Sequence, residues 1–300
     1  MSFRVTGIGE VLWDLLPSGP QLGGAPANFA WHARQLGAEV QVISRVGKDT
    51  YGRQVLQRFQ DMGINSCAVQ VDDRLPTGTA TVFLDGGGMP QFTIHDNVAW
   101  DALAFTGEAL AAVQRADAVC FGTLAQRSPA AASTVQQMVA ATPVSSLRVF
   151  DVNLRRKFYN KKVVEQSLDL ANVVKLNELE IAVLSPMFDL RGGENQRIEH
   201  LARQFDLDAV ALTRGEKGSL LYRAGDWSDI PGMPMDIVDT IGAGDAFAAG
   251  LVLGLLNKLA LENVHRIAVD LARYVCSCSG ATPVLPDHLR AAFASDCPSG

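Results

Sequence analysis

Positive charge is in short supply in this 300-residue chain: 26 lysines and arginines stand against 32 acidic residues, a net charge of −6. Binding along a phosphate backbone needs a basic face, so the balance argues against nucleic acid as a partner. Cysteine is sparse too. The five thiols, Cys67, Cys120, Cys276, Cys278 and Cys297, are odd in number, scattered, and contain no C-x-x-C pair. They build neither a disulfide framework nor a zinc site, and they suit a reducing cytoplasm. No apolar run approaches the roughly 20 residues that a membrane span needs, and the longest, Ala246 to Leu256, reads as a buried helix. The opening MSFRVTGIGEVLWDLLP meets Gly, Glu and Asp too early for a secretory leader. The five histidines show no ligand spacing, no G-x-x-x-x-G-K-S/T occurs, and Gly7 and Gly9 lack the third glycine of a dinucleotide loop.

What is present is the composition of a compact globular chain, 48% hydrophobic and 19% charged, at a length that suits one large α/β domain with insertions. Phe3 to Ile8 reads as a strand, Gly24 to Leu36 as a helix, and GAEVQVISRVG as a second strand. The rhythm recurs at Ala118 to Phe121 with the helix 129–141, at Arg148 to Val152, at Val173 to Leu176 with ELEIAVLS, and at Ala209 to Leu212. Such alternation predicts a mostly parallel sheet covered on both faces. One segment breaks it: TGTATVFLDGGGMPQFTIHD, Thr77 to Asp96, reads as a hairpin around Gly86, Gly87 and Gly88. It is either a lid that closes over a substrate or an antiparallel edge of the main sheet.

The stretch DTIGAGDAFAAGLVLGLL, Asp239 to Leu256, sets two glycines and an aspartate before an apolar helix. Gly242 and Gly244 allow a tight bend that exposes successive N–H groups, and the helix dipole adds to their pull on an anion. Asp245 beside such an anion is placed to take a proton from a hydroxyl as that hydroxyl attacks phosphorus. The alternative is that Asp245 only caps the helix.

DTIGAGDAF closely resembles the C-terminal signature of the ribokinase-like sugar kinases, the PfkB family, and Gly23 to Gly52 resembles their N-terminal signature. DVNLRRKFY, KLNELE, TRGEKGSLLY and CSGATPVLP extend the resemblance over nearly the whole chain. GGAPAN with a D-x-N-x-R element is most similar to fructokinases. The resemblance implies an α/β, ribokinase-like three-layer sandwich with a mostly parallel central sheet and a small β lid. It implies a single domain over 1–300, the lid being formed from about 10–20 and 66–100.

It also implies roles for single residues. Asp245 matches the catalytic base, and the amides of Gly242, Ala243 and Gly244 match the anion hole. Asp14, Gly23, Gly24, Asn28, Asn153 and Arg155 fall where the family holds its sugar; taken alone, such residues are more often turn or cap groups, and the run Arg155, Arg156, Lys157 more often a solvated face. Asn177, Thr213, Gly215, Gly218 and Gly244 fall on the nucleotide side. Glu180 matches the N-x-x-E element that places Mg²⁺ through water, although Asn177 and Glu180 equally make a capping box. Asp239, with the loop Ser279 to Thr282, matches a site for a monovalent cation such as K⁺.

The expectation is therefore an ATP-dependent sugar kinase using Mg²⁺, with fructose as first choice of acceptor. Ribose, 2-keto-3-deoxygluconate and nucleosides stand as alternatives within the family, and a catalytically silent sugar sensor stands outside it. The alternating TATVF and QFTIH give each hairpin strand two faces, which predicts a homodimer formed through the lid.

Overall fold

Strands buried on both faces read as unbroken apolar runs: Ala118–Phe121 is buried at every position and Val173–Asn177 at its first four. The computed structural model describes residues 2–84, 90–155 and 158–293. Its strands are β1 (Arg4–Ile8), β2 (Leu12–Leu16), β3 (Gly19–Gly23), β4 (Glu39–Gly47), β5 (Val69–Asp72), β6 (Gly78–Leu84) and β7 (Pro90–Ile94), followed by β8 (Ala118–Phe121), β9 (Leu147–Asp151), β10 (Val173–Asn177), β11 (Ala209–Thr213), β12 (Gly218–Arg223) and β13 (Asp226–Pro231).

Nine of them form one sheet in the order β13-β12-β11-β10-β9-β8-β1-β4-β5. From β11 to β5 every neighbour is parallel, while β12 and β13 fold back antiparallel at one edge. Helices cover both faces. The helices Ala25–Gln35 and Ala243–Leu256 pack in one apolar cluster, and Pro129–Ala140, Lys161–Leu170 and Glu194–Gln204 in another. The stretch Ala246 to Leu255 is buried throughout, as expected of a core helix. It lies so close to the helix Leu261–Cys276 that a side chain at Gly250 would stand 2.8 Å from the Ala268 backbone.

The remaining four strands make a separate sheet, β3-β2-β6-β7. The hairpin from Thr77 is thus not an edge of the main sheet; β6 lies parallel to β2 and antiparallel to β7. The β2–β3 hairpin stands between β1 and the first helix, and the expected 10–20 range thus carries Leu12–Leu16 into the small sheet. One expected boundary needs correction: within the range 66–100, Val69–Asp72 is β5, whose Ser44-to-Val69 register joins the large sheet. The turn at Gly86 to Gly88, Arg156 and Lys157 of the basic run, and Cys297 lie outside the described residues.

Winding explains where a site belongs. The chain runs from β1 outward through β4 to β5, returns to β8, and then builds in the other direction. Between β1 and β8 the connections diverge and leave a crevice at the carboxyl ends of the strands, the usual ligand position in open α/β sheets.

Candidate active site

Polar residues cluster at those carboxyl ends. Glu10 follows β1, Asp151 ends β9, Asn153 lies two residues on, Lys175 sits in β10, and Asn177 pairs in register with Thr213 of β11. Glu10, Asp151, Asn153 and Asp245 border one cavity of about 10 Å³.

The helix Ala243–Leu256 aims its first turn at this cluster. Its N-cap, Gly242, has a left-handed φ of 80°, and a side chain there would stand 2.5 Å from the carbonyl oxygen of Ala281. Only glycine meets both demands. Among the described residues the amides of Gly242 and Gly244 have no backbone acceptor, as the first turn of a helix requires. With the dipole behind them they can receive an anion. Ala243 N–H bonds back to Thr240 at 3.4 Å, a long contact that an anion can displace.

The Asp245 side chain bonds outside its own helix: its Oδ2 accepts a 2.8 Å hydrogen bond from Nδ2 of Asn28, 217 residues earlier in the chain. Burial, and then the charge of Asp151, push the Asp245 carboxyl up to about 6. The Asn28 Oδ1 is buried and has no partner, an acceptor waiting for a donor such as a hydroxyl. Asn28 rides on the helix Ala25–Gln35, whose N-cap is Gly24 and which the sequence GGAPAN begins. The same helix is strapped to the loop behind Gly242: His32 Nε2 donates to Ala281 O at 2.9 Å, and Trp31 Nε1 to Pro283 O at 3.1 Å. Burial lowers His32 to about 4, so the ring is neutral and keeps its single proton on that bond.

Of the other expected sugar-side residues, Asn153 borders the same cavity as Asp245. Asp14, on β2, holds its carboxylate over Gly23, where a side chain would fall 2.5 Å from Oδ2. Burial pushes Asp14 up to about 6. Asn153 adopts φ 40°, and Thr123 Oγ1 donates to both Val152 O (2.9 Å) and Asn153 O (3.2 Å), fixing the turn. Arg155 is exposed, and its charge lowers Glu10, Asp14 and Asp245 alike.

On the opposite side the sequence left two readings of NELE, and the capping box is formed. Asn177 Oδ1 accepts from Leu179 N (2.9 Å) and Glu180 N (3.0 Å), while Glu180 Oε2 accepts from Asn177 N (2.8 Å). Glu180 Oε1 takes a further amide, Leu154 N, at 2.9 Å. Because both oxygens accept, a carboxamide there turns an NH₂ toward an N–H. Glu180→Gln is therefore expected to lose about 1–3 kcal/mol, the cost of an unsatisfied buried donor. Urea unfolding reads it, and an unchanged midpoint would show that the box does not depend on both oxygens.

Gly215 opens the short turn after β11, facing open space, whereas Gly218 is glycine because β13 crowds it, Ile230 O lying 2.0 Å from where a side chain would start. Asp239 Oδ1 accepts from Ile241 N (3.0 Å) and Oδ2 from Gly280 N (3.1 Å), tying the glycine turn to the loop Ser279 to Thr282.

Three residues escaped the sequence reading. Lys175 Nζ bonds both oxygens of Asp151 at 3.1 Å, with both residues buried, and Nζ would lie 2.7 Å from a side chain at Gly244. Burial opposes the ammonium, but Asp151, Glu180 and Asp245 outweigh it and hold Lys175 above the ordinary lysine range. The third is Glu10, 3% exposed. The available signal was a charge buried among the apolar residues of a strand, Lys175 in VVKLN and Asp151 at the end of LRVFD.

Comparison with known proteins gives a consistent result. The profile of the pfkB family carbohydrate kinases matches residues 20–288. A Pyrococcus horikoshii protein named only as a sugar kinase is 32% identical over 80% of this chain and 75% of its own length. Fructokinase of Klebsiella pneumoniae is 30% identical over 91% of each chain. Among solved structures, the P. horikoshii kinase in complex with ATP has a TM-score of 0.78 at 29% identity, covering 93% of this chain and 94% of that one. Vibrio cholerae fructokinase with fructose, ADP and calcium has a TM-score of 0.77 at 25% identity, covering 96% and 98%.

Proposed function

The chain belongs to the pfkB family of carbohydrate kinases and is a phosphotransferase acting from ATP on a sugar hydroxyl; we propose that its acceptor is the primary hydroxyl of a neutral sugar, fructose before others. The observation that carries the reading is the Asn28–Asp245 hydrogen bond, which unites the two signature segments beside the unpaired amides of Gly242 and Gly244. The base, the hydroxyl-facing acceptor of Asn28 and the anion site thus stand together.

In this reading Asp14, Asn28 and Asn153 hold the sugar under the small sheet, and Asp245 accepts the hydroxyl proton as the oxygen meets the γ-phosphorus. The first-turn amides and Lys175 hold the charge of the phosphoryl group in transit. Asn177, Thr213 and Gly215 border the nucleotide side. Among the described residues no cluster of acidic, His or Cys side chains forms a metal cage. Mg²⁺ would instead be held by phosphate oxygens and water, with Glu180 beyond the water, and would neutralise the phosphates. A homodimer belongs to the same proposal, β3 and β7 being the outer strands of the small sheet.

Charge favours a neutral sugar over a sugar acid. Glu10, Asp14 and Asp245 all have carboxyl groups raised by burial, and Lys175 is already paired with Asp151. The same desolvation would penalise a substrate carboxylate, which would enter with only the exposed Arg155 to meet it, and a buried charge without a partner is costly. Fructokinase names among the relatives support the hexose. The test is ADP release over fructose, other hexoses, ribose, 2-keto-3-deoxygluconate and nucleosides. Fructose is expected to give the highest kcat/KM and the sugar acid a value lower by about tenfold or more. A preference for the acid would overturn the reading.

A further inference from the structure

The stretch VGKDTYG, Val46 to Gly52, lies in the segment that resembles the family's N-terminal signature, yet the reaction as described does not use it. Its packing is demanding. A side chain at Gly52 would collide with the carbonyl oxygen of Gly47, and one at Gly47 would start 2.5 Å from the amide nitrogen of Thr77. The end of β4, the helix Thr50–Asp61 and the residue before β6 therefore meet backbone to backbone. Asp49, the N-cap of that helix, joins them: its Oδ1 accepts from Gly52 N (2.7 Å) and Thr77 Oγ1 (2.7 Å), and its Oδ2 from Thr77 N (2.8 Å). Thr77 Oγ1 in turn accepts from Gly47 N at 2.9 Å. Two residues after Asp49, Tyr51 O accepts from Trp13 Nε1 at 3.1 Å, with the two rings 5.9 Å apart. The helix is held in the core by Val55 and Phe59, fully buried in the same apolar cluster as Trp13.

We propose that Asp49, Thr77 and Trp13 are positioning residues for the sugar: with them the first turn of the helix Thr50–Asp61 is the fixed seat of the small sheet and sets where Asp14 stands. The proposal rests on Asp14 holding the sugar. Thr77 directly precedes β6 and Trp13 directly precedes Asp14 on β2, and these are the two inner strands of the small sheet. They pair in parallel, Leu12 opposite Gly78, Trp13 opposite Thr79 and Asp14 opposite Ala80. Each bond to the helix thus fixes backbone within three residues of Asp14 or of its partner Ala80. Successive side chains of a strand leave opposite faces, so Trp13 reaches the helix while Asp14 stands on the other face of the sheet. A carboxylate that accepts from a sugar hydroxyl is sensitive to small shifts, because hydrogen bonds weaken steeply with distance and angle. The Asp49 carboxylate makes the seat stiff, since charge-assisted bonds to three donors are stronger than neutral ones.

The test is steady-state kinetics with Mg-ATP and fructose, or the better acceptor should the ADP-release screen give one, each variant being checked for folding by thermal melting. Thr77→Val removes the hydroxyl that bridges Asp49 and Gly47, and Trp13→Phe keeps a ring without the N–H. In each, the sugar KM should rise about three- to tenfold, the worth of one hydrogen bond, while kcat and the ATP KM stay near wild type. Thr77→Ser keeps the hydroxyl and should restore the wild-type value. Asp14→Asn should itself raise the sugar KM, and adding Thr77→Val or Trp13→Phe to it should raise it no further, because the seat acts through that carboxylate. A merely structural role would lower kcat with the amount of folded enzyme and leave the sugar KM alone. An unchanged sugar KM in folded Thr77→Val, or the same rise with and without the Asp14 carboxylate, overturns the proposal; should Thr77→Val not fold, Trp13→Phe is judged by the same two results. A wild-type sugar KM in Asp14→Asn defeats the underlying reading of the sugar site, whereas a raised one beside unaltered Thr77→Val and Trp13→Phe defeats the proposal alone.

Discussion

Asp245→Asn is expected to lower kcat roughly 10²- to 10⁴-fold while leaving the sugar KM within a few-fold, the usual consequence of losing a general base. The carboxamide occupies the same space and still offers an oxygen to Asn28 Nδ2, so the 2.8 Å link and the helix it anchors survive. What disappears is the basic carboxylate that, in the proposed reaction, takes the hydroxyl proton. The hydrogen bond of Asp245 goes to Asn28 and not to its own helix, and a melting curve separates a loss of turnover from a loss of folding. Because burial raises the carboxyl to about 6, the wild-type rate should fall as pH drops through that value, when the base becomes protonated. Initial rates of ADP release beside a melting curve decide the matter; near-normal turnover in a folded variant would return Asp245 to a structural role.

How far the sequence foretold this site depends on whether a residue's role is local. The glycine turn, the helix behind it and the GGAPAN helix are each set by a few adjacent residues, and they were legible. Asp245 could be singled out because the turn that makes the anion site also positions it. Asn28 was legible only through resemblance, since its partner is 217 residues away. Lys175 and Asp151 stood inside the quoted KLNELE and DVNLRRKFY but were given no role. Each is one charge in a buried strand, and their meaning comes from β9 and β10 being neighbours in register, which no local pattern states. Glu10 was hidden in the same way, at the end of β1, where the winding reverses. The small sheet was half legible: the Thr77 hairpin showed its alternation, but its pairing with β2 joins segments more than sixty residues apart in the chain, and β5 lay close enough in sequence to be counted with it by mistake.

Lys175→Met should be the most destabilising change in the site, by about 3–5 kcal/mol, the range for removing one member of a buried ion pair. The pair is buried on both sides, with side-chain exposures of 9% for Lys175 and 5% for Asp151, and the ammonium meets both carboxylate oxygens at 3.1 Å. Methionine fills the space of the lysine stem, so the loss comes from charge and not from a void. Asp151 is left without its counter-ion in the company of Asp245, whose carboxyl its charge already raises. A second change separates the effects. Asp151→Asn on top of Lys175→Met removes the stranded charge, and the double variant should regain most of the lost stability because the desolvated carboxylate is gone. Activity should not return with it. Nζ lies 2.7 Å from where a side chain at Gly244 would begin, so in the proposed reaction its charge would help to receive the phosphoryl group. Urea midpoints for the two variants, read beside ADP release, distinguish the roles: a Lys175→Met protein as stable as wild type would show the pair to be dispensable to the fold, and a double variant with full turnover would show that the helix amides alone hold the transferring phosphate.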